Sequence, residues 1–205
     1  MLLSALPLFP LGTVLFPGGI LPLKIFEVRY LDMIGKCIKT GAPFGVVALT
    51  QGSEVRRPDS AELFAKVGTL AVIETHSMPQ PGLRIIRCKA AQRFRIQRTE
   101  QLKHGLWVGD VERLDDDVAI NVPDDLQPAV LAMQRLVDTL HARDVASEDF
   151  PFDMPYAYND CAWLSNRWCE LLPLPTELKQ RLMELDSPLM RLELVNDILA
   201  KQRVI

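Results

Sequence analysis

The chain has 205 residues, of which 48% are hydrophobic and 24% charged, and its formal net charge is −3. That length suits one large domain or two small ones, and the composition is globular rather than disordered. The mildly acidic balance argues against a general nucleic-acid binder, which needs clustered positive charge to displace counterions.

The most apolar stretch, residues 2–23, holds four prolines and three glycines, and no positive charge precedes it. The sequence therefore predicts neither a membrane span nor a signal peptide, and a cytoplasmic protein is expected. Within this stretch a strand is predicted at residues 6–11, then a turn at Phe16-Pro17-Gly18-Gly19, then a strand at 21–26. A helix follows over 28–39, with Val28, Leu31, Ile34 and Ile38 on one face and Gly41 just past its end. Further strands are predicted at 44–49, 67–75, 83–90, 92–99 and 106–114. The polar stretch 51–62, with a Pro58-Asp59 turn, reads as a surface loop.

Asp115-Asp116-Asp117 lacks the glycine and distal glutamate of a calcium loop and reads as a solvated linker. Beyond it apolar residues recur at helical spacing. Leu126, Ala129, Val130, Met133, Val137 and Leu140 form one stripe, and Cys161, Leu164, Trp168 and Leu171 or Leu172 a second, ended by Pro173 and Pro175. Thr176 is expected to cap a third helix to about 185, and Ser187-Pro188 to open a fourth to about 202. Residues 144–155, rich in aromatics and proline, read as an ordered loop. The fold class is α+β: a β-rich part over 1–120 followed by a helical bundle over 121–205.

Known chemical motifs are missing. Gly35-Lys36 has no glycine at the earlier offset of a phosphate loop, and Cys37 stands where Ser or Thr belongs. Neither G-x-S-x-G nor H-E-x-x-H occurs. Cys37, Cys88, Cys161 and Cys169 form no C-x-x-C pair, and His76, His104 and His141 stand apart, so buried thiols are expected and no metal or cofactor.

Two features carry alternative readings. In residues 92–98, alternation puts Arg93, Arg95 and Gln97 on one face and Phe94 and Ile96 on the other. Paired as a hairpin with the preceding strand, which holds Arg84, Arg87 and Lys89, they form a basic strip. It either touches RNA or an acidic peptide, or is a solvated sheet face that blunts aggregation, the reading preferred. The run from Leu6 to Pro17 either packs in the core near a sheet edge or leaves an apolar surface that accepts hydrophobic polypeptide.

Leu6-Pro7-Leu8-Phe9-Pro10-Leu11, then Val14-Leu15-Phe16-Pro17-Gly18 and Leu21-Pro22-Leu23-Lys24-Ile25-Phe26-Glu27-Val28-Arg29-Tyr30, closely resemble the opening of the N-terminal substrate-binding domain of Lon proteases. Phe44-Gly45-Val46-Val47, Val67-Gly68-Thr69, Arg93-Phe94-Arg95-Ile96, Trp168 to Leu172, Lys179 to Glu184 and Arg191-Leu192 extend the resemblance along the chain. Val28 and Lys24 depart from residues common in that family, proline and histidine.

The resemblance implies a pseudo-barrel similar to RNA-binding PUA domains, followed by a helical bundle. It also implies a non-catalytic module that recognises polypeptide. Full Lon proteases continue into an ATPase module and a Ser-Lys protease domain. This sequence stops at Ile205, so recognition without unfolding or cleavage is expected.

The expected partners are unfolded or apolar polypeptide segments, or a protease or chaperone. The predicted contact residues are Leu15, Phe16 and Ile20 together with Met78, Pro79 and Pro81 of a predicted loop over 78–81. RNA binding through Arg87, Arg93 and Arg95 ranks second, because few aromatics stand near these arginines to stack on bases. Glu27 and Arg29 are expected to be structural, Glu27 favoured by the positive end of the helix dipole and Arg29 as an ion-pair or backbone anchor.

Overall fold

The computed structural model describes residues 2–54, 62–146 and 150–205. The predicted Pro58-Asp59 turn and residues 147–149 of the predicted loop lie outside them. The chain divides into two compact units, Met1–Asp116 and Asp117–Ile205.

Among the described residues the first unit holds seven strands and one helix: β1 (Leu2–Leu11), β2 (Ile20–Ile25), α1 (Val28–Thr40), β3 (Phe44–Gln51), β4 (Leu63–Phe64), β5 (Val67–Gln80), β6 (Leu83–Gln101) and β7 (Trp107–Arg113). The order runs β1-β7-β6-β5-β3-β4, and β1 also pairs in parallel with β3, which closes the strands into a ring. Closure removes most sheet edges, the usual liability of such folds.

The ring encloses a small core. Leu6 and Leu8 of β1, Val47 of β3, Leu70 of β5, Phe94 of β6 and Val111 of β7 meet there, so each ring strand sends side chains inward. The Phe94 ring takes so much of that space that two neighbours must be glycine. A Cβ on Gly45 or Gly68 would stand 2.7 Å from Phe94 Cζ, and one on Gly68 would also stand 2.4 Å from the Val46 carbonyl oxygen. A second core forms outside the ring. There Tyr30, Met33, Ile34 and Cys37 of α1 pack on Phe9, Leu11, Leu21, Ile25, Phe44, Ile86 and Cys88. The helix forms where the spacing predicts, and Gly41 in the left-handed conformation (φ 69°) donates to the Cys37 carbonyl as a C-terminal cap, but its buried face is turned from the predicted one: Tyr30, Met33, Ile34 and Cys37 are buried, whereas Leu31 and Ile38 are half-buried and Val28 is 73% exposed.

Two further readings of this unit are corrected. Residues 83–90 and 92–99 are one 19-residue strand, not two. A register shift between Ala90 and Arg93 absorbs the irregularity that reads as a break in the sequence. β5 runs on to Gln80, so Met78 to Gln80 are strand rather than loop. The two-residue strand β4 has too little pattern to read.

The second unit is helical. A 3₁₀ turn at Asp124–Leu126 leads into α2 (Gln127–Ala142), followed by α3 (Cys161–Leu171), α4 (Thr176–Glu184) and α5 (Pro188–Lys201). Asp160 caps α3 by accepting from the Trp163 N–H at 2.7 Å, and Ser187 caps α5 by accepting from Met190 N–H at 3.2 Å. Thr176 is not a cap. Pro175 takes that position and Thr176 is the first helical residue. Trp168 packs in the unit's core and donates to the Ala129 carbonyl at 3.2 Å, tying α3 to α2.

Arg191 is 1% exposed and donates to Asp117 (2.7 Å), Asn166 (2.8 Å) and the carbonyls of Leu182 (2.9 Å) and Leu185 (2.7 Å). Asp117 is therefore a buried ion-pair partner, not part of a solvated linker. No helix among the described residues is long and apolar enough to cross a membrane.

Candidate functional site

The start of α1 is held by one cation. Arg29 is 5% exposed and donates to Glu27 Oε2 (3.1 Å), Glu62 Oε1 (3.2 Å) and the Gly105 carbonyl (2.9 Å), while its guanidinium lies 4.5 Å from the Tyr30 ring centroid. Burial alone acts to lower its pKa. Tyr30 and the carboxylates of Glu62 and Glu27 outweigh that and hold it above its ordinary value. Glu62 also accepts from the Trp107 indole N–H at 2.8 Å. Arg29 thus fastens α1 to the turn between β6 and β7. In that turn Leu102 donates to the Leu106 carbonyl at 2.8 Å and Gly105 donates to the Leu102 carbonyl at 2.7 Å.

That fastening frames a pocket of about 410 Å³. Its apolar lining comes from Met33 and Cys37 of α1, Leu102 and Leu106 of the turn, Val108 of β7 and Pro7 of β1. Asp32, Lys36 and His104 stand at the rim and are exposed. Burial pushes the Cys37 thiol up, so this wall stays uncharged. The volume lies within the range of ligand pockets, about 300–1,000 Å³, and an apolar lining with a few polar groups is their usual make-up. At the mouth Ala5 has φ 52° where the β1 register shifts, and its N–H bonds Asp110 Oδ1 at 3.1 Å. A non-glycine residue held there stores strain, a feature that gathers at binding sites.

The residues expected from the sequence fall elsewhere. Leu15 is 5% exposed and Phe16 is fully buried, so neither lines a surface. The turn itself is docked on β6, with Gly18 donating to the Ala90 carbonyl and Ala90 donating to the Gly19 carbonyl. A turn's backbone can stay at the surface while its side chain points inward. Ile20 is half-buried, whereas Met78 is 60% exposed and Pro79 and Pro81 are exposed. Ile20 pairs with Lys89, and Ser77, beside Met78, pairs with Ile85. Those levels lie about 13 Å apart along β6 at the strand rise.

The basic strip does not form either. Arg84, Arg87, Arg93 and Arg95 lie along one strand rather than across a hairpin. Arg93 is 4% exposed, opposite buried Thr69, whose hydroxyl donates to the Leu15 carbonyl at 2.6 Å, so the chain after β1 runs over this stretch. Arg87 is ion-paired with Glu74. Arg95 is exposed, opposite Glu112.

The pocket escaped the sequence reading because its walls come from residues 5 to 108 and no local pattern unites them. The one available signal is α1, whose stripe of Met33 and Cys37 borders exposed Asp32 and Lys36. Among the described residues no group of three or more His, Cys, Asp or Glu gathers as a metal site.

A closed strand barrel with a helix on its flank and an apolar pocket beside that helix, joined in sequence to a helical unit, defines an α+β domain. The family model described as the ATP-dependent protease La (LON) substrate-binding domain matches residues 5–201, and the chain belongs to that family. It is 30% identical over 205 residues to the Lon protease of Paraburkholderia phytofirmans, an alignment covering 96% of this chain and 25% of that protein. It is 24% identical over 210 residues to the Lon protease of Anaeromyxobacter dehalogenans, covering 98% and 24%. The chain thus spans about a quarter of the length of these curated relatives.

Among solved structures, the Lon N-terminal domain protein from Xanthomonas campestris superposes with a TM-score of 0.72 at 29% identity, covering 94% of this chain and 97% of that one. The N-terminal domain of the Mycobacterium avium complex Lon protease shares the fold, with a TM-score of 0.58 at 15% identity, covering 95% and 97%.

Proposed function

We propose that this chain is a non-catalytic, cytoplasmic recognition module that holds apolar segments of unfolded polypeptide, on its own account or for a protease or chaperone. The apolar pocket beside α1 carries this reading. It offers a client side chain a place to leave water, and its exposed rim groups, Asp32, Lys36 and His104, stay solvated around it. Membership of a family of substrate-binding domains supports the same reading. RNA binding is set aside because Arg93 is buried and Arg87 is ion-paired.

A plug tests it. Ala42 lines the pocket and is exposed, so Ala42→Trp adds bulk at the mouth without entering the core. Affinity for a reduced, carboxymethylated and permanently unfolded protein should fall about tenfold, with the thermal midpoint unchanged, if one anchor side chain is excluded. Unchanged affinity in a folded variant removes the pocket from the account.

A further inference from the structure

Beyond the ring, β6 carries a three-stranded arm. β2 pairs with one edge of its first half (Ile20↔Lys89 to Ile25↔Arg84), and the second half of β5 pairs with the other (Val72↔Lys89 to Gln80↔Leu83). One face of the arm, with Leu21, Ile25, Ile86 and Cys88, is covered in the core that contains α1. The outer edge is different. β3 begins opposite Ala71, so among the described residues no strand pairs with the outer edge of residues 72–80. All of these residues are exposed except half-buried Ile73.

Such an edge presents a row of backbone N–H and C=O groups, and proteins usually blunt one with lysine, proline, a β-bulge or a cover. Here the stretch Val72-Ile73-Glu74-Thr75-His76-Ser77-Met78-Pro79-Gln80 has no lysine, and its one proline sits near the tip. In an antiparallel strand every second residue directs both backbone groups to the same side, so nine residues offer about four outward pairs.

We propose that the outer edge of β5, residues 72–80, captures an extended segment of unfolded polypeptide as an added strand. This rests on the reading of the chain as a polypeptide-recognition module and supplies what the pocket lacks, a means of holding clients of unrelated sequence. Main-chain hydrogen bonds give affinity without regard to side chains, and exposed Val72 and Met78 add apolar contact on alternate positions.

The shape of the edge selects an unfolded segment over a second copy of this chain. Register shifts between Ile73 and Thr75 and between Ser77 and Gln80 bend and twist the strand. A rigid strand with the same two irregularities cannot follow that path across its whole length, whereas a flexible chain adapts to it, at an entropic cost that keeps binding weak.

The test uses the full chain and nine-residue fluorescent peptides rich in Val, Thr and Leu. A scrambled peptide of the same composition should bind within about twofold of the original, while one N-methylated at alternate residues, which removes donors along one edge, should bind at least about tenfold more weakly. Amide exchange at residues 72–80 should slow when the unmodified peptide is bound.

Ser77→Cys provides an independent register. The four native thiols are buried and their pKa values raised, so the introduced one reacts selectively. Disulfide trapping with peptides bearing cysteine at successive positions should rise and fall with period two. If N-methylation has no effect and exchange at 72–80 is unchanged on binding, the edge proposal is overturned while polypeptide recognition stands. If neither peptides nor the unfolded protein bind, both fall. Concentration-dependent dimerisation that protects 72–80 without peptide overturns the choice of occupant.

Discussion

Replacing Arg29 with methionine removes a buried charge while keeping most of its volume, and the structure sets the size of the effect. Arg29 and Glu62 side chains are 4% and 6% exposed, so their pair is buried, whereas Glu27 is 22% exposed and contributes less. Without the guanidinium, Glu62 keeps the Trp107 indole at 2.8 Å, and the Gly105 carbonyl keeps a long bond from the Gln101 side chain at 3.3 Å. Breaking one side of a buried pair costs about 3–5 kcal/mol, mostly from the stranded charge. Arg29→Met should therefore destabilise the first unit by that amount in urea, read by Trp107 fluorescence in a chain whose other two tryptophans are replaced by phenylalanine. Amide exchange at Gly105 should rise as the pocket's turn loosens. Adding Glu62→Gln should restore a large part of the loss, because the orphan charge is gone. A cost below about 1 kcal/mol, or no recovery in the double variant, refutes the view that this cation fastens α1 to the turn.

Other consequences follow from the same structure. Phe16→Ser should cost about 3–5 kcal/mol in chemical denaturation because the side chain is fully buried, whereas Met78→Ser, at 60% exposure, should stay within about 0.5 kcal/mol. Arg191→Leu should lower the thermal midpoint of the helical unit sharply and Arg191→Lys should restore little, since lysine cannot reach Asp117, Asn166 and two carbonyls together. Burial pushes the thiols of Cys88 and Cys169 to about 12 and that of Cys161 to about 11. A thiol reagent at pH 8 should leave them unlabelled until denaturant is added. Because the folded thiols hold their protons more tightly than unfolded ones, whose ordinary value is 9.0, their contribution to stability is intact below pH 9 and drains as pH rises toward 11–12. Unfolding midpoints at pH 8 and pH 10.5 should show the loss, and it should shrink in a Cys88→Ala/Cys169→Ala variant.

Much of the fold was legible because local signals and burial agree. Helical spacing and Gly41 mark the extent of α1, though its buried face is turned from the one read, Ser187-Pro188 marks the start of α5, and Leu6, Leu8 and Phe94 carry the strand pattern of the ring. The failures came where tertiary structure decides. Alternation grouped Arg93 with Arg95 correctly on one face, but only the chain passing over Thr69 determines that Arg93 is buried and Arg95 is not. Proline and glycine marked the turn at Phe16 without revealing that its aromatic ring turns inward. The break read between residues 90 and 92 is a register shift inside β6, which leaves the strand continuous. The motif around Glu27 and Arg29 reads as structural, yet its partners Glu62 and Gly105 lie far along the sequence, and the pocket they help to frame has no local signature.

The most direct test of polypeptide recognition is a titration of the purified chain with one client protein in two forms, native and permanently unfolded, at low and high salt. The account predicts weak binding of the unfolded form alone, roughly micromolar, with little change between 50 and about 500 mM salt, because apolar contact and main-chain pairing dominate. Equal binding of both forms, or an affinity that collapses as salt rises in the manner of phosphate contacts, would contradict it.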